Sequence, residues 1–163
     1  MPEGPEIRRE ADRLARVLVD APLERVWFRF PHLQRRSDEL LDRRVVAVRS
    51  WGKALLTEFD DGRAIYSHNQ LYGRWYLVRA GTEPATNRDL RLALETATHR
   101  ALLYSASEID LLEPGEWQAH PFLAKLGPDV FADNTTPAFL RRRMASKRFA
   151  RRPLGRLLMD QTF

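Results

Sequence analysis

The sequence contains no cysteine and only three lysines among its 27 basic residues. It also has no apolar run near the roughly 20 residues that a membrane-spanning helix needs. The first absence excludes a disulfide framework, and the last excludes a helical membrane protein. The start "MPEGPEIRRE" lacks the apolar segment of a secretory signal, so the expected location is the cytoplasm. What is present is a chain of 163 residues, 44% hydrophobic and 30% charged. That excludes a disordered polymer and allows one domain with a real core, or one domain and part of a second.

Charge points toward a partner. Basic residues exceed acidic ones by 27 to 22 and the pI is about 10.1. The positive charge is nearly all arginine, whose planar fork suits phosphate. It concentrates in "FLRRRMASKRFARRPLGR", where Arg141, Arg142, Arg143, Lys147, Arg148, Arg151, Arg152 and Arg156 form a candidate phosphate-facing stripe. The structural alternative is a solvated arginine surface.

Periodicity gives a coarse architecture. From Pro5 to about Val19, Ile7, Ala11, Leu14 and Leu18 recur at helical spacing and predict an amphipathic helix with one apolar stripe. Strand-like runs follow: "RVWFRF", "RRVVAVRSW", "KALLTEF", "RAIYSHNQLYGRWYLV", "LRLALET" and "RALLYSAS". Turn signals such as "DDG", "AGTEP" and "ATHR" separate them. "NTTPAFLRRRMAS" predicts a helix with a threonine cap and Pro137 in its first turn, and "PLGRLLMDQTF" predicts the start of another. The expected fold class is α+β, an N-terminal helix on a two-sheet β-sandwich or flattened barrel, followed by the start of a truncated helical domain. Boundaries are expected at 1–131 for the first domain and 132–163 for the second. Leu157, Leu158 and Phe163 are expected to need burial, so the chain reads as a fragment cut within a domain.

The opening "MPEGPE" admits two readings. Pro5 suits a first helical position, and Glu3 and Glu6 favour the positive end of a helix. Alternatively, removal of Met1 would leave Pro2 with a free secondary amine. At neutral pH an α-amino group offers a lone pair roughly a few hundred times more often than an unperturbed lysine. Attack of that amine on a sugar carbon gives an iminium, an electron sink that acidifies the neighbouring carbon and favours elimination. Glu3 could then move protons to and from the sugar, and Glu6, three residues on, could orient Glu3 or the amine.

Together "MPEGPEIRR", "WGKALLTEF" and "SHNQLYGRW", with "LLYSAS", "HPFL", "GPDV" and "LLMDQ", make the chain resemble bacterial endonuclease VIII enzymes of the formamidopyrimidine-DNA glycosylase family. The resemblance runs over essentially the whole sequence. It implies a bifunctional base-excision repair enzyme, a DNA glycosylase and abasic-site lyase that removes oxidised pyrimidines and cuts the strand by β,δ-elimination. It implies Pro2 as nucleophile at the sugar C1′, Glu3 as acid or proton shuttle, Glu6 as a supporting carboxylate and Lys53 as a contact to DNA phosphate. It further implies that Gln70, Leu71 and Tyr72 fill the space left by the flipped nucleotide, which costs a few kcal/mol if left empty. The structural alternative places Leu71 and Tyr72 in the core of a strand-turn-strand. His68 reads as structural.

The expected partner is double-stranded DNA with oxidised bases or abasic sites, bound by a monomer, with no membrane involved. Family members continue through a helix, two-turn, helix element and a zinc ribbon that lie beyond the end of this sequence. With no cysteine there is no four-cysteine zinc site, so no metal or other cofactor is assigned to this chain. Loss of those phosphate contacts would weaken DNA binding in a salt-dependent way. The alternative reading is therefore a truncated, non-catalytic DNA-binding fragment of the same fold.

Overall fold

The computed structural model describes residues 3–130, 132 and 134–163. They divide into two compact units, Met1–Trp117 and Gln118–Phe163.

The first unit opens with helix α1 (Gly4–Leu18), whose buried residues are Ile7, Ala11, Leu14 and Leu18, the stripe that the spacing predicts. Each large member contributes about 1.5–3 kcal/mol by leaving water. Eight strands follow: β1 (Leu23–Phe28), β2 (Val45–Trp51), β3 (Ala54–Phe59), β4 (Ala64–His68), β5 (Arg74–Arg79), β6 (Leu90–Thr96), β7 (His99–Tyr104) and β8 (Glu108–Leu112). A one-turn helix, α2 (Pro31–Gln34), and a 3₁₀ turn at Asp38–Leu40 connect β1 to β2. The strands form two four-stranded sheets, ordered β1-β6-β7-β5 and β2-β3-β4-β8, with every pairing antiparallel. Val26, Phe28, Leu92, Leu94 and Leu103 of the first sheet share one core with Val45, Leu55, Phe59, Ile65 and Ile109 of the second and with the α1 stripe. This is the expected α+β class: a leading helix packed on two antiparallel sheets, then further helices.

Two details depart from the sequence reading. The run from Arg63 to Val78 is two strands, because β4 belongs to the second sheet and β5 to the first, and the chain changes sheet between His68 and Arg74. Strand β8 was not expected. Its pattern, exposed then buried, half-buried, buried and buried, is too irregular to show alternation.

A charged network ties the β3–β4 hairpin to the 3₁₀ turn. The Arg63 guanidinium, 10% exposed, donates to Asp61 at 2.7 Å, to the Glu39 carboxylate at 2.7 Å and to the Glu39 carbonyl at 3.1 Å. Burial opposes ionisation of Asp61, but the hydrogen bonds and charge of Arg63 outweigh it and hold this carboxyl below its ordinary range. Arg63→Met is expected to lower stability by about 2 kcal/mol, less than for a fully enclosed pair because Asp61 still reaches solvent. A depressed folded pKa stabilises above the unfolded value and loses that contribution as pH falls through the folded one. Urea midpoints should therefore differ most at neutral pH and converge below about pH 4.

In the second unit, helix α3 (Pro137–Met144) begins as expected, with the Thr136 hydroxyl accepting from the Phe139 N–H at 3.1 Å. Helix α4 (Leu154–Leu157) is one turn long. Leu157 is buried and Phe163 meets Phe149 edge-on at 5.1 Å, whereas Leu158, expected to need burial, is 73% exposed. No helix among the described residues is long and apolar enough to cross a membrane.

Candidate active site

The site begins at the N-terminus of α1. Glu3 is the N-cap residue, in an extended conformation, and its carbonyl accepts from the N–H groups of Glu6 and Ile7 at 3.0 and 3.1 Å. Glu6 reaches back, its carboxylate accepting from the Glu3 N–H at 2.8 Å. Glu3 and Glu6 thus form a capping box, which fixes the backbone of Glu3. The Glu3 carboxylate is more than half exposed and receives Lys53 Nζ at 2.9 Å from either oxygen.

Lys53 is placed by hairpin geometry. Trp51 pairs with Ala54, so Gly52 and Lys53 make a two-residue turn, and Gly52 takes φ 59 while Lys53 does not share that region. Glycine first in such a turn is the II′ pattern, which matches the twist of the strands and lifts the lysine to the tip. With Glu3 more than half exposed, an ion pair of this kind contributes only about 0–1 kcal/mol to stability, so its consequence is geometric. Three of the four residues read as catalytic, Glu3, Glu6 and Lys53, therefore come together. The fourth, Pro2, lies outside the described residues.

The same end of the second sheet carries the other group. Pairing runs in one row from Trp51 to Ala54, from Ala54 to His68 and from His68 to Glu108. The chain leaves β4 just after this row and turns sharply, with the Gly73 N–H bonded to the Asn69 carbonyl at 2.7 Å. A Cβ on Gly73 would stand 2.6 Å from both Asn69 Cα and its carbonyl oxygen, so only glycine fits. Gly73→Ala is expected to cost about 2 kcal/mol, read as a lower denaturation midpoint. At the tip, Leu71 is 61% and Tyr72 67% exposed, against the reading that packs both in a core.

Gln70 adopts φ 48, uncommon for a residue with a Cβ. Its N–H donates to His68 Nδ1 at 3.0 Å, which places the proton of a neutral imidazole on Nε2. Burial pushes the His68 pKa down, the Glu108 charge opposing and the Lys53 charge reinforcing that shift. An imidazole held neutral beneath the turn suits the structural role read from sequence. Three neighbours of the turn were not read as site residues, although Ser107 closes the "LLYSAS" run. Glu108 accepts from Gln70 Nε2 at 2.5 Å, the Ser107 hydroxyl donates to Gln70 Oε1, and Arg88 donates to the Tyr72 carbonyl at 2.7 Å. Strand pairing and a loop bring them there, so their place beside the turn depends on contacts distant in the sequence.

In the second unit the basic stripe is partly occupied. The guanidinium carbons of Arg143, Arg148 and Arg152 lie 5.1, 5.1 and 5.8 Å from the centre of the buried Phe149 ring. Arg143 also donates to the Thr162 and Phe163 carbonyls, and Arg152 pairs with Asp160. Arg141, Arg142, Lys147, Arg151 and Arg156 are exposed.

The sequence profile described as "Formamidopyrimidine-DNA glycosylase N-terminal domain" matches residues 1–107. The chain belongs to this family. It is 50% identical over 163 residues to "Endonuclease 8" of Escherichia coli O17:K52:H18 (strain UMN026 / ExPEC), and equally to that of Pectobacterium carotovorum subsp. carotovorum (strain PC1). Both matches cover all of this chain and 62% of the relative, so the chain spans under two thirds of their length. Among solved structures, it is similar to MutM in complex with DNA containing carbocyclic 8-oxo-G, with a TM-score of 0.73 at 16% identity, covering 99% of this chain and 62% of that one. It is also similar to Lactococcus lactis Fpg in complex with DNA containing an abasic site, with a TM-score of 0.74 at 16% identity, covering 99% and 61%. At that identity the likeness shows the fold. The family zinc ribbon does not fit the residues present: there is no cysteine, and among the described residues no three His, Asp or Glu side chains gather as a metal site.

Proposed function

We propose that this chain carries the catalytic part of a DNA glycosylase and abasic-site lyase acting on oxidised pyrimidines, as a monomer in the cytoplasm. Residues 1–131 would supply the chemistry, and residues 132–163 would begin the helical DNA-binding part. The observation that supports this reading best is convergence. Glu3, the residue that follows Pro2, meets Glu6 and Lys53, and the Gln70–Leu71–Tyr72 turn, with Leu71 and Tyr72 exposed, leaves the same end of the sheet that carries Lys53.

With Met1 removed, the Pro2 nitrogen attacks C1′ and the glycosidic bond breaks, the base departing with its electron pair and taking up a proton. Glu3 opens the sugar ring by moving a proton, and the resulting iminium carries its charge without one. Loss of a C2′ proton then expels the 3′ phosphate, and a second elimination expels the 5′ phosphate. Lys53 supplies a point charge for a flanking phosphate. Leu71 and Tyr72 enter the stack where the nucleotide has left it, and Gln70 faces the orphaned base.

The second reading, DNA binding without chemistry, is favoured by one fact: the chain spans 62% of its relatives' length. Borohydride separates the two. The unaltered chain mixed with duplex DNA bearing an abasic site should give a covalent adduct on reduction, whereas a chain that binds the duplex and gives no adduct supports binding alone.

A further inference from the structure

The side-chain amide of Gln70 is held at both ends. Its Nε2 donates to Glu108 Oε1 at 2.5 Å, its Oε1 accepts from the Ser107 hydroxyl, and its backbone is fixed by His68 Nδ1 and a left-handed φ. The two holds differ in kind. A hydroxyl donates and accepts, so Ser107 tolerates either orientation of the amide. An ionised carboxylate only accepts, so Glu108 tolerates one, with the NH₂ group toward it. Strand pairing puts Glu108 there, opposite His68 at the start of β8. One N–H and one oxygen lone pair of Gln70 then remain for a ligand, in a set order.

We propose that Glu108 is a specificity-positioning residue: it locks the polarity of the Gln70 amide and so determines which base opposite the lesion is preferred. The inference rests on the reading of Gln70 as the side chain that faces the orphaned base. Watson–Crick edges fall into two classes for such a probe. From the major-groove side, adenine and cytosine present a donor and then an acceptor; guanine and thymine present an acceptor and then a donor. A locked amide matches one class and mismatches the other, whereas an amide free to turn over serves both.

The test uses the chain as it stands and a duplex carrying a tetrahydrofuran abasic analogue opposite each of the four bases, with binding followed by fluorescence anisotropy at low salt. The unaltered chain should separate adenine and cytosine from guanine and thymine by about fivefold in Kd, the size of one ordinary hydrogen bond. Glu108→Gln keeps the size and the contact but can donate as well as accept, so the two classes should merge. Glu108→Ala and Gln70→Ala should merge them too. If Gln70→Ala removes the separation and Glu108→Gln keeps it, the polarity lock is wrong and the reading of Gln70 stands. If Gln70→Ala leaves the separation intact, the reading of Gln70 fails as well. No separation in the unaltered chain overturns the proposal, and no binding at all overturns both.

Discussion

Replacing Glu3 by glutamine is expected to cut release of an oxidised pyrimidine from duplex DNA by about a hundredfold or more, the usual contribution of a positioned acid or base. Glutamine keeps the length of the side chain and can still accept from Lys53, which meets Glu3 at 2.9 Å, so the start of α1 should hold its place. Only the capacity to carry a proton is lost. The loss should be selective. A preformed abasic site already interconverts with its open aldehyde, and the amine can attack it without help in opening the ring, so reductive trapping on such a site should fall far less than base release. Equal losses on both substrates would mean that Glu3 acts as structure.

The second large effect concerns the exposed turn. Leu71→Ala combined with Tyr72→Ala should reduce excision from duplex DNA by about a hundredfold, because the vacated space then costs a few kcal/mol and an aromatic stack worth about 1–3 kcal/mol is absent. Stability should stay within about 0.5 kcal/mol of the parent, since both side chains stand mostly in water, at 61% and 67% exposure. On single-stranded DNA carrying the same lesion the double variant should match the parent, because no partner strand leaves a hole to fill. A lowered denaturation midpoint, or equal losses on single and double strands, would show that the two residues pack within the protein.

What the sequence reveals follows from how local each cause is. The α1 stripe of Ile7, Ala11, Leu14 and Leu18 is legible because one face of one helix makes it, and the Thr136 cap because its partner is three residues away. The cluster of Glu3, Glu6 and Lys53 needed more. Glu6 lies within a turn of Glu3, but Lys53 arrives from fifty residues on through a hairpin whose tip Gly52 shapes. Family resemblance pointed to that lysine; spacing alone could not. The run through "SHNQLYGRW" conceals a change of sheet, because aromatic and aliphatic residues continue straight across the turn. Glu108 was invisible, since its place beside Gln70 depends on the pairing of β4 with β8, and β8 itself lacks clear alternation. The basic stripe is legible only in part. Composition counts Arg143, Arg148 and Arg152 as surface charge, and Arg148 and Arg152 are exposed, but all three guanidinium groups also lie over the Phe149 ring, which no local pattern announces.

If the attacking nitrogen belongs to Pro2, the position of the crosslink will show it. The adduct formed with abasic DNA and borohydride would be digested with nuclease and protease, and the modified peptide identified by mass. The sugar remnant should sit on an N-terminal peptide that begins at Pro2, with Met1 gone. A remnant on Lys53, Lys125 or Lys147, the only side-chain amines in the chain, or an adduct on a peptide that retains Met1, would contradict it.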